Sequence, residues 1–438
     1  MLNDLPAEIL HIIAGFVHQG ITNEDAKNFS LLSLSQSCTR LHHVFGPIVF
    51  SKLTVKRDDG YSAFNSLLKT HGHFVGELTV LINLRPGYRQ PRTDLFRNPK
   101  RLLLEGSELP NCRSVEIQFV PRDDFEEGRW NNADKVSIQI WEDVETETEL
   151  MIAEESYQWR GDLAAMWRAL SRNANCRYLT LCNLPPKLSG ALRTAPVRRF
   201  LSRVETLHVQ FWGGFCSNSG GESPSMPGYG ASLDLVGAAL IEPAENLEHL
   251  LYAYSEWGMC DPELSNLFEV LSLRLGQLSS LLLQNAFIER DLMEMIANAG
   301  HSLRAISFRD CFIHCPGHNE GGHMDFTWAD VWALMMKTME SLGSVRFHIS
   351  NMRALFAGEQ DSVIYAEADV RGREFRASLT PFDEGLFYDQ DLIFGYADLE
   401  VDFFAINWLR RRGIEAQVER DWDGWEALQR KIAAQLSG

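Results

Sequence analysis

The chain has 438 residues, 45% hydrophobic and 23% charged, which is the composition of a folded protein and not of a disordered one. Its formal net charge of −18 opposes non-specific attraction to phosphate backbones and anionic lipid, so neither nucleic acid nor a membrane surface is expected as a general partner. No window approaches the ~20 apolar residues that span a bilayer. Eight scattered cysteines point to buried thiols, and thus to a reducing cytoplasmic or nuclear location.

The sequence opens Leu2-Asn3-Asp4-Leu5-Pro6-Ala7-Glu8-Ile9-Leu10. Proline suits a first helical turn, where its missing N–H would have had no partner, and Glu8 complements the positive end of the helix dipole. Apolar residues at Ile9, Ile12, Ile13, Phe16 and Val17 then trace one helix face, interrupted at His11 and Gly15 and therefore unlike a targeting segment. Gly20 and Asn23 suit a loop. The spacing of Leu31, Leu34, Cys38, Leu41 and Phe45 predicts a second helix, with Ser30 as cap and Gly46-Pro47 as stop. Two such helices bury too little apolar surface to stand alone, so the module must lean on another helix or another protein.

Beyond Val55 one phrase recurs irregularly, a helical stretch followed by a short L-x-x-L-x-L-like strand. It is read at Val75…Leu78…Val80, Cys112…Val115…Ile117, Cys176…Leu179…Leu181, Val204…Leu207…Val209 and Leu247…Leu250…Tyr252. Three further copies follow at Leu278…Leu281…Leu283, Leu303…Ile306…Phe308 and Leu342…Val345…Phe347. Central residues from Leu179 to Val345 are separated by 28, 43, 31, 25 and 39 residues, so insertions interrupt a repeat whose regular period is about 20–29. Strands that recur in one sense after helices must be parallel, since a hairpin cannot join them. Helical stripes are expected at Leu163, Met166, Trp167 and Leu170, at Leu292, Met295, Ile296 and Ala299, and at Trp328, Val331, Trp332, Met335 and Met339.

Two insertions stand out. Residues 122–155 hold twelve acidic residues against three basic ones, half of the net charge, and read as a solvated surface insertion. Residues 212–230, rich in glycine and serine, read as a mobile loop. After Asn351 the phrase stops. Strands are expected at Val363–Tyr365 and Phe375–Leu379, a helix through Phe403, Phe404, Trp408 and Leu409, and a last helix with Trp422, Trp425, Leu428 and Ile432 on one face. Residues 351–438 thus read as a cap over an otherwise open apolar end.

The run Leu5-Pro6-x-Glu8-Ile9-Leu10, the helix Leu31…Leu34…Cys38…Leu41 and the closing Pro47-Ile48-Val49-Phe50-x-x-Leu53-Thr54-Val55 resemble the F-box motif in its filamentous-fungal form. The link from His18 to Asn28 is longer than the family's, and the tryptophan common near the motif's end is absent. The irregular repeat resembles the leucine-rich body of F-box proteins over residues 70–350. The resemblance implies an α/β chain with an all-helical F-box head at residues 1–55. An irregular leucine-rich-repeat-like solenoid of parallel strands would follow at 56–350, then the cap. It implies that Leu5, Pro6, Ile9, Leu10, Leu31, Leu34, Cys38 and Leu41 contact a Skp-family adaptor that hangs from a cullin, while the solenoid holds an unknown protein substrate. A solenoid interaction module acting without ubiquitination is the alternative.

Chemistry is scarce by comparison. Trp212-Gly213-Gly214-Phe215 lacks the lysine and the spacing of a phosphate-cradling loop, and no G-x-S-x-G elbow or H-E-x-x-H helix occurs. Cys311, His314, Cys315, His318 and His323 have the donor types of a zinc site. Cys311 continues directly from a strand, however, and no second paired ligand set follows. The expectation is a histidine-bearing loop, with no metal, no cofactor and no enzymatic activity.

Overall fold

The structure is a computed structural model that describes residues 5–6, 9–10, 12–13, 24–55, 68–84, 99–121, 146–213, 215–216, 221–222, 227–255, 266–314, 326–338, 342–348, 395–399, 406–408 and 414–437. The chain divides into two compact units, Met1–Pro121 with Met151–Cys182 and Ser189–Val204, and Arg122–Leu150 with Asn183–Leu188 and Glu205–Gly438. It is mixed α/β, with strands that are mostly parallel.

In the first unit, helices α1 (Glu24–Ser37) and α2 (Thr39–Val49) lead into strand β1 (Lys52–Val55). The single helix expected from Leu31 to Phe45 is therefore two. Cys38 breaks it: its backbone is extended (φ −162°, ψ 162°) and its Sγ accepts the Leu41 N–H at 3.5 Å, so a residue read as part of an apolar stripe is an N-cap. Ser30 lies inside α1, and Gly46-Pro47 lie inside α2 instead of ending it. Glycine allows this, because the proline ring clashes with the Cβ of a preceding helical residue and Gly46 has none. Since α1 starts at Glu24, residues 24–28 are helix and not link.

Strands β2 (Glu77–Leu84), β3 (Ser114–Pro121) and β4 (Tyr178–Leu184) follow β1 in that order, each pairing in parallel with the one before. Their register aligns the recurring phrase column by column: Leu53, Leu78, Val115 and Leu179 are partners, and so are Val55, Val80, Ile117 and Leu181. Helices α3 (Pro99–Glu105), α4 (Glu147–Ser156), α5 (Gln158–Leu170) and α6 (Ala195–Leu201) supply the connections. The α5 stripe Leu163, Met166, Trp167 and Leu170 is buried as expected. Residues 122–145 of the acidic insertion lie outside the described residues, whereas its distal end is α4. Thr146 begins that helix with a reciprocal cap: its N–H donates to Glu149 Oε2 at 2.8 Å and its Oγ1 accepts the Glu149 N–H at 3.3 Å.

The second unit continues the pattern with β5 (Thr206–Phe211), a short antiparallel hairpin of β6 (Phe215–Cys216) and β7 (Gly221–Glu222), α7 (Pro227–Ile241) and β8 (His249–Ala253). Next come α8 (Leu267–Ser272), β9 (Ser280–Gln284), β10 (Phe287–Ile288), α9 (Arg290–Ala299), β11 (Ala305–Arg309) and β12 (Phe312–His314). Last are α10 (Trp328–Thr338), β13 (Ser344–His348), β14 (Gly395–Leu399), β15 (Ile406–Trp408) and α11 (Ile414–Ser437). Strands β5, β8, β9, β11 and β13 form a parallel sheet in that order, and Leu207, Leu250, Leu281, Ile306 and Val345 fall in one buried column. Helices α7 to α11 pack each against the next in chain order. A smaller sheet joins β10, β12 and β14 in parallel, with β15 antiparallel at its end.

Several expectations change here. Residues 212–230 include the β6–β7 hairpin and the start of α7, and Trp212 and Tyr229 are buried, with the Tyr229 hydroxyl donating to the Trp212 carbonyl at 3.0 Å. On α9 the buried residues are Leu292, Met293, Ile296 and Ala297, not Met295: flanked by α8 and α10, the helix buries a wider arc rotated from the expected one. Trp408 belongs to β15 and not to a helix. The expected strands at 363–365 and 375–379, and Phe403, Phe404, Leu409 and Met339, lie outside the described residues, as does the Trp422 side chain.

One device recurs at strand ends. Asn183, Asn285 and Asp310 have φ of 55°, 52° and 51°, each two residues after an inward apolar position, Leu181, Leu283 and Phe308. Asn and Asp visit this left-handed region most easily among residues with a Cβ. Asn285 also anchors the turn, donating from Nδ2 to Ser255 O at 3.0 Å. Both Asn285→Gly and Asn285→Val lose that bond, so the extra cost of valine isolates the backbone term, expected at roughly 1–2 kcal/mol in urea unfolding. Equal stabilities would show that the turn is held by something else.

Candidate functional site

Six of the eight residues marked near the N-terminus, Leu5, Leu10, Leu31, Leu34, Cys38 and Leu41, fall in one hydrophobic cluster. The Pro6 carbonyl accepts the N–H groups of Ile9 (3.1 Å) and Leu10 (3.2 Å), which makes Pro6 the start of a helical turn. Arg40 on α2 holds that start in place, its Nη2 donating to Leu5 O at 2.6 Å. Leu10, Leu31, Leu41 and Phe45 are buried together, and Leu5, Ile13, Leu34, Cys38, Val44, Ile48 and Val49 pack around them half-covered. Of the residues expected to face an adaptor, Leu10, Leu31 and Leu41 thus point into the module's own core. Pro6 and Ile9 remain exposed, and Ile12, which the motif did not mark, is 53% exposed beside them.

The far end of the module is clamped by rings to the residues just ahead of β2. His71 stacks on Phe50 at 4.2 Å between centroids, and His42 lies edge-on to His71 at 5.1 Å. Burial, then the neighbouring His42 and His73, pushes the His71 pKa down, which favours the neutral ring in this stack. Gly46 lets α2 approach Phe74: a Cβ there would sit 3.3 Å from Phe74 Cε2.

The buried thiols are structural. Cys112, Cys176 and Cys311 donate to the carbonyls of Ser114 (3.3 Å), Tyr178 (3.5 Å) and Leu283 (3.4 Å), and burial pushes each pKa up to about 12. Such thiols are protonated and shielded, poor nucleophiles and poor ligands. Cys311 of the zinc-type set is one of these buried thiols. Of its companions, His314 lies on β12 with its side chain outside the described residues, and Cys315, His318 and His323 lie outside them altogether. Among the described residues no group of His, Cys, Asp and Glu has the arrangement of a metal site, and no helix is long and apolar enough to cross a membrane.

The remaining surface of note is the face of the parallel strands turned away from the helices, a strand face expected from the sequence to meet a substrate but without named residues. Helices cover the inner face, while the alternate residues on the other face are half-exposed or exposed apart from the buried Ala253. In the first unit this face gathers Thr79, Glu116, Gln118 and Cys182. Glu116 accepts from Thr79 Oγ1 at 3.2 Å and from Gln118 Nε2 at 2.6 Å. In the second unit it carries His208, Gln210, His249, Gln284, Arg309 and Arg346. The signal was present as the x positions of L-x-L, but only the register tells which of them become neighbours. The chain matches no protein-family model and no curated protein.

Proposed function

We propose that the chain is the substrate-recognition adaptor of a Skp-cullin-F-box ubiquitin ligase, working in a reducing cytoplasmic or nuclear setting. The N-terminal module is its F-box head, the parallel-strand body an irregular leucine-rich-repeat solenoid, and the C-terminal helix part of a cap. The observation that carries the reading is the convergence of Leu5, Leu10, Leu31, Leu34, Cys38 and Leu41 in one small hydrophobic cluster. Pro6, Ile9 and Ile12 stay uncovered there, directly ahead of repeated parallel strands. The head fixes the protein to the ligase scaffold, and the body holds a protein substrate near the ubiquitin-loaded enzyme, so the gain is effective concentration without bond chemistry in this chain.

The reading is tested by capture of a purified Skp-family adaptor with full-length protein and with Pro6→Ala/Ile9→Ala. Both side chains are exposed, so the variant keeps its fold, and binding is expected to weaken roughly tenfold or more. No capture by the unmodified protein, or equal capture by both, would falsify the reading. A second reading, an interaction module independent of ubiquitination, draws on the burial of Leu10, Leu31 and Leu41 within the module itself, and it is the one left standing if capture fails.

A further inference from the structure

Across β5, β8, β9, β11 and β13 no outward position is occupied by Asp or Glu, in a chain with 59 acidic residues against 41 basic ones. Two outward positions are arginine. Arg309 on β11 and Arg346 on β13 are both exposed, and among the described residues neither has an ion pair. The register pairs Ser307 with Arg346 and Arg309 with His348, which makes the arginines diagonal neighbours with Cβ atoms about 7–8 Å apart. Beside them lie Gln284, paired directly with Arg309, and further across the sheet Gln210, His208 and His249. Burial and then His249 lower the His208 pKa, which disfavours a charge on that ring, whereas the arginines carry a fixed positive charge.

We propose that this face binds an extended acidic protein segment whose carboxylates stand two residues apart, one on Arg309 and the other on Arg346. The proposal rests on the reading of the solenoid as the substrate-holding body and names the substrate's chemistry. Guanidinium groups bind carboxylates in a bidentate fork, which fixes direction as well as charge. In an extended chain residues i and i+2 point the same way about 6.6–6.8 Å apart, close to the diagonal spacing of the arginines. The half-buried glutamine amides can donate to and accept from the backbone of such a segment, which leaves its own N–H and C=O groups partnered. An anionic polymer such as nucleic acid fits less well, because it takes its affinity from many phosphate contacts, and this face offers two fixed charges on a chain of net charge −18.

The test uses full-length protein and fluorescein-labelled glycine-serine peptides carrying a central Glu-Gly-Glu, with anisotropy as the readout. Three comparison probes are a Gln-Gly-Gln peptide, a Glu-Gly-Gly-Gly-Glu peptide and a single-stranded oligonucleotide. Expected are binding of Glu-Gly-Glu that weakens as salt rises, weaker binding of the wider spacing, and none of the glutamine peptide. Arg309→Gln/Arg346→Gln should weaken Glu-Gly-Glu binding roughly tenfold or more with an unchanged melting temperature, since both residues are exposed. Equal binding of the glutamine peptide, equal binding by the double variant, or tighter binding of the oligonucleotide overturns the proposal. Adaptor capture measured on the same preparations separates the two ideas: capture without acidic-peptide binding removes only this inference, and acidic-peptide binding without capture removes only the ligase reading.

Discussion

Trp332→Ala is expected to destabilise the second unit by about 3–5 kcal/mol, the range for deleting a fully buried large aromatic side chain. Trp332 is wholly buried on α10, with Trp328 at 5.1 Å between ring centroids, Phe308 at 6.2 Å and Trp425 of α11 at 4.9 Å. The indole therefore joins three elements: strand β11, its own helix and the C-terminal helix. Helix α11 comes close enough for this only because Gly424 has no side chain, as a Cβ there would meet Trp332 Cδ1 at 3.3 Å and the Ala329 Cα at 3.5 Å. The fully buried Asp421 on the same helix accepts the Ala329 N–H at 2.8 Å, satisfying an amide in the first turn of α10. Loss of the indole should thus loosen α11 before the parallel strands, because the helix is held chiefly through this patch while the strands keep their ladder bonds. Hydrogen exchange reads this directly: amides from Gly424 to Ile432 should lose protection while those of β9 and β11 keep theirs. A variant with wild-type melting temperature and a protected α11 would refute the assignment of the patch as the anchor.

The second large effect lies in the first unit. Asn173→Ala is expected to cost roughly 3 kcal/mol, from three hydrogen bonds, two of them buried, at about 1 kcal/mol each. The buried Asn173 amide donates to Leu104 O at 3.0 Å, and its Oδ1 accepts the N–H groups of Asn175 (2.9 Å) and Cys176 (3.0 Å). It ties the end of α3 to the turn that starts β4. Its own carbonyl accepts from Arg203 at 2.7 Å, so the chain leaving α6 closes on the same point. Gly106, at φ +76°, is packed so tightly against it that a Cβ would come within 2.9 Å of the Asn173 amide. Asn173→Asp separates the contributions: it keeps both acceptor bonds and loses the donor to Leu104, for roughly 1–3 kcal/mol including the unpaired carbonyl. Urea unfolding that ranks wild type, aspartate and alanine in that order supports the hub. An alanine variant as stable as wild type would show that water or backbone adjustment replaces all three bonds.

Periodicity carried the reading furthest on faces that turn fully inward. The α5 stripe, the Trp328–Trp332 stripe and the columns from Leu207 to Val345 were visible because a buried face imposes its period on the residues that build it. It misled at Cys38, where a small apolar residue continues the helical spacing while its sulfur caps the next helix, and at Gly46-Pro47, where a stop signal lies inside a helix. Neither error is visible in spacing alone: a cap differs from a core residue in its backbone angles and not in its position. Met293 replaced Met295 on α9 for a related reason, since the buried arc depends on how many neighbours the helix has.

By itself, then, the sequence determined the alternation of helices with parallel strands and most of the residues whose side chains turn inward, because both are written in local spacing. Tertiary structure decided which apolar residues of the N-terminal module stay uncovered, how distant Asn173 and Asp421 satisfy backbone groups on other elements, and that Arg309 and Arg346 stand together at outward positions of β11 and β13. Those are questions of who lies beside whom. Strand register and helix packing answer them, and both are set by the summed burial of the whole unit.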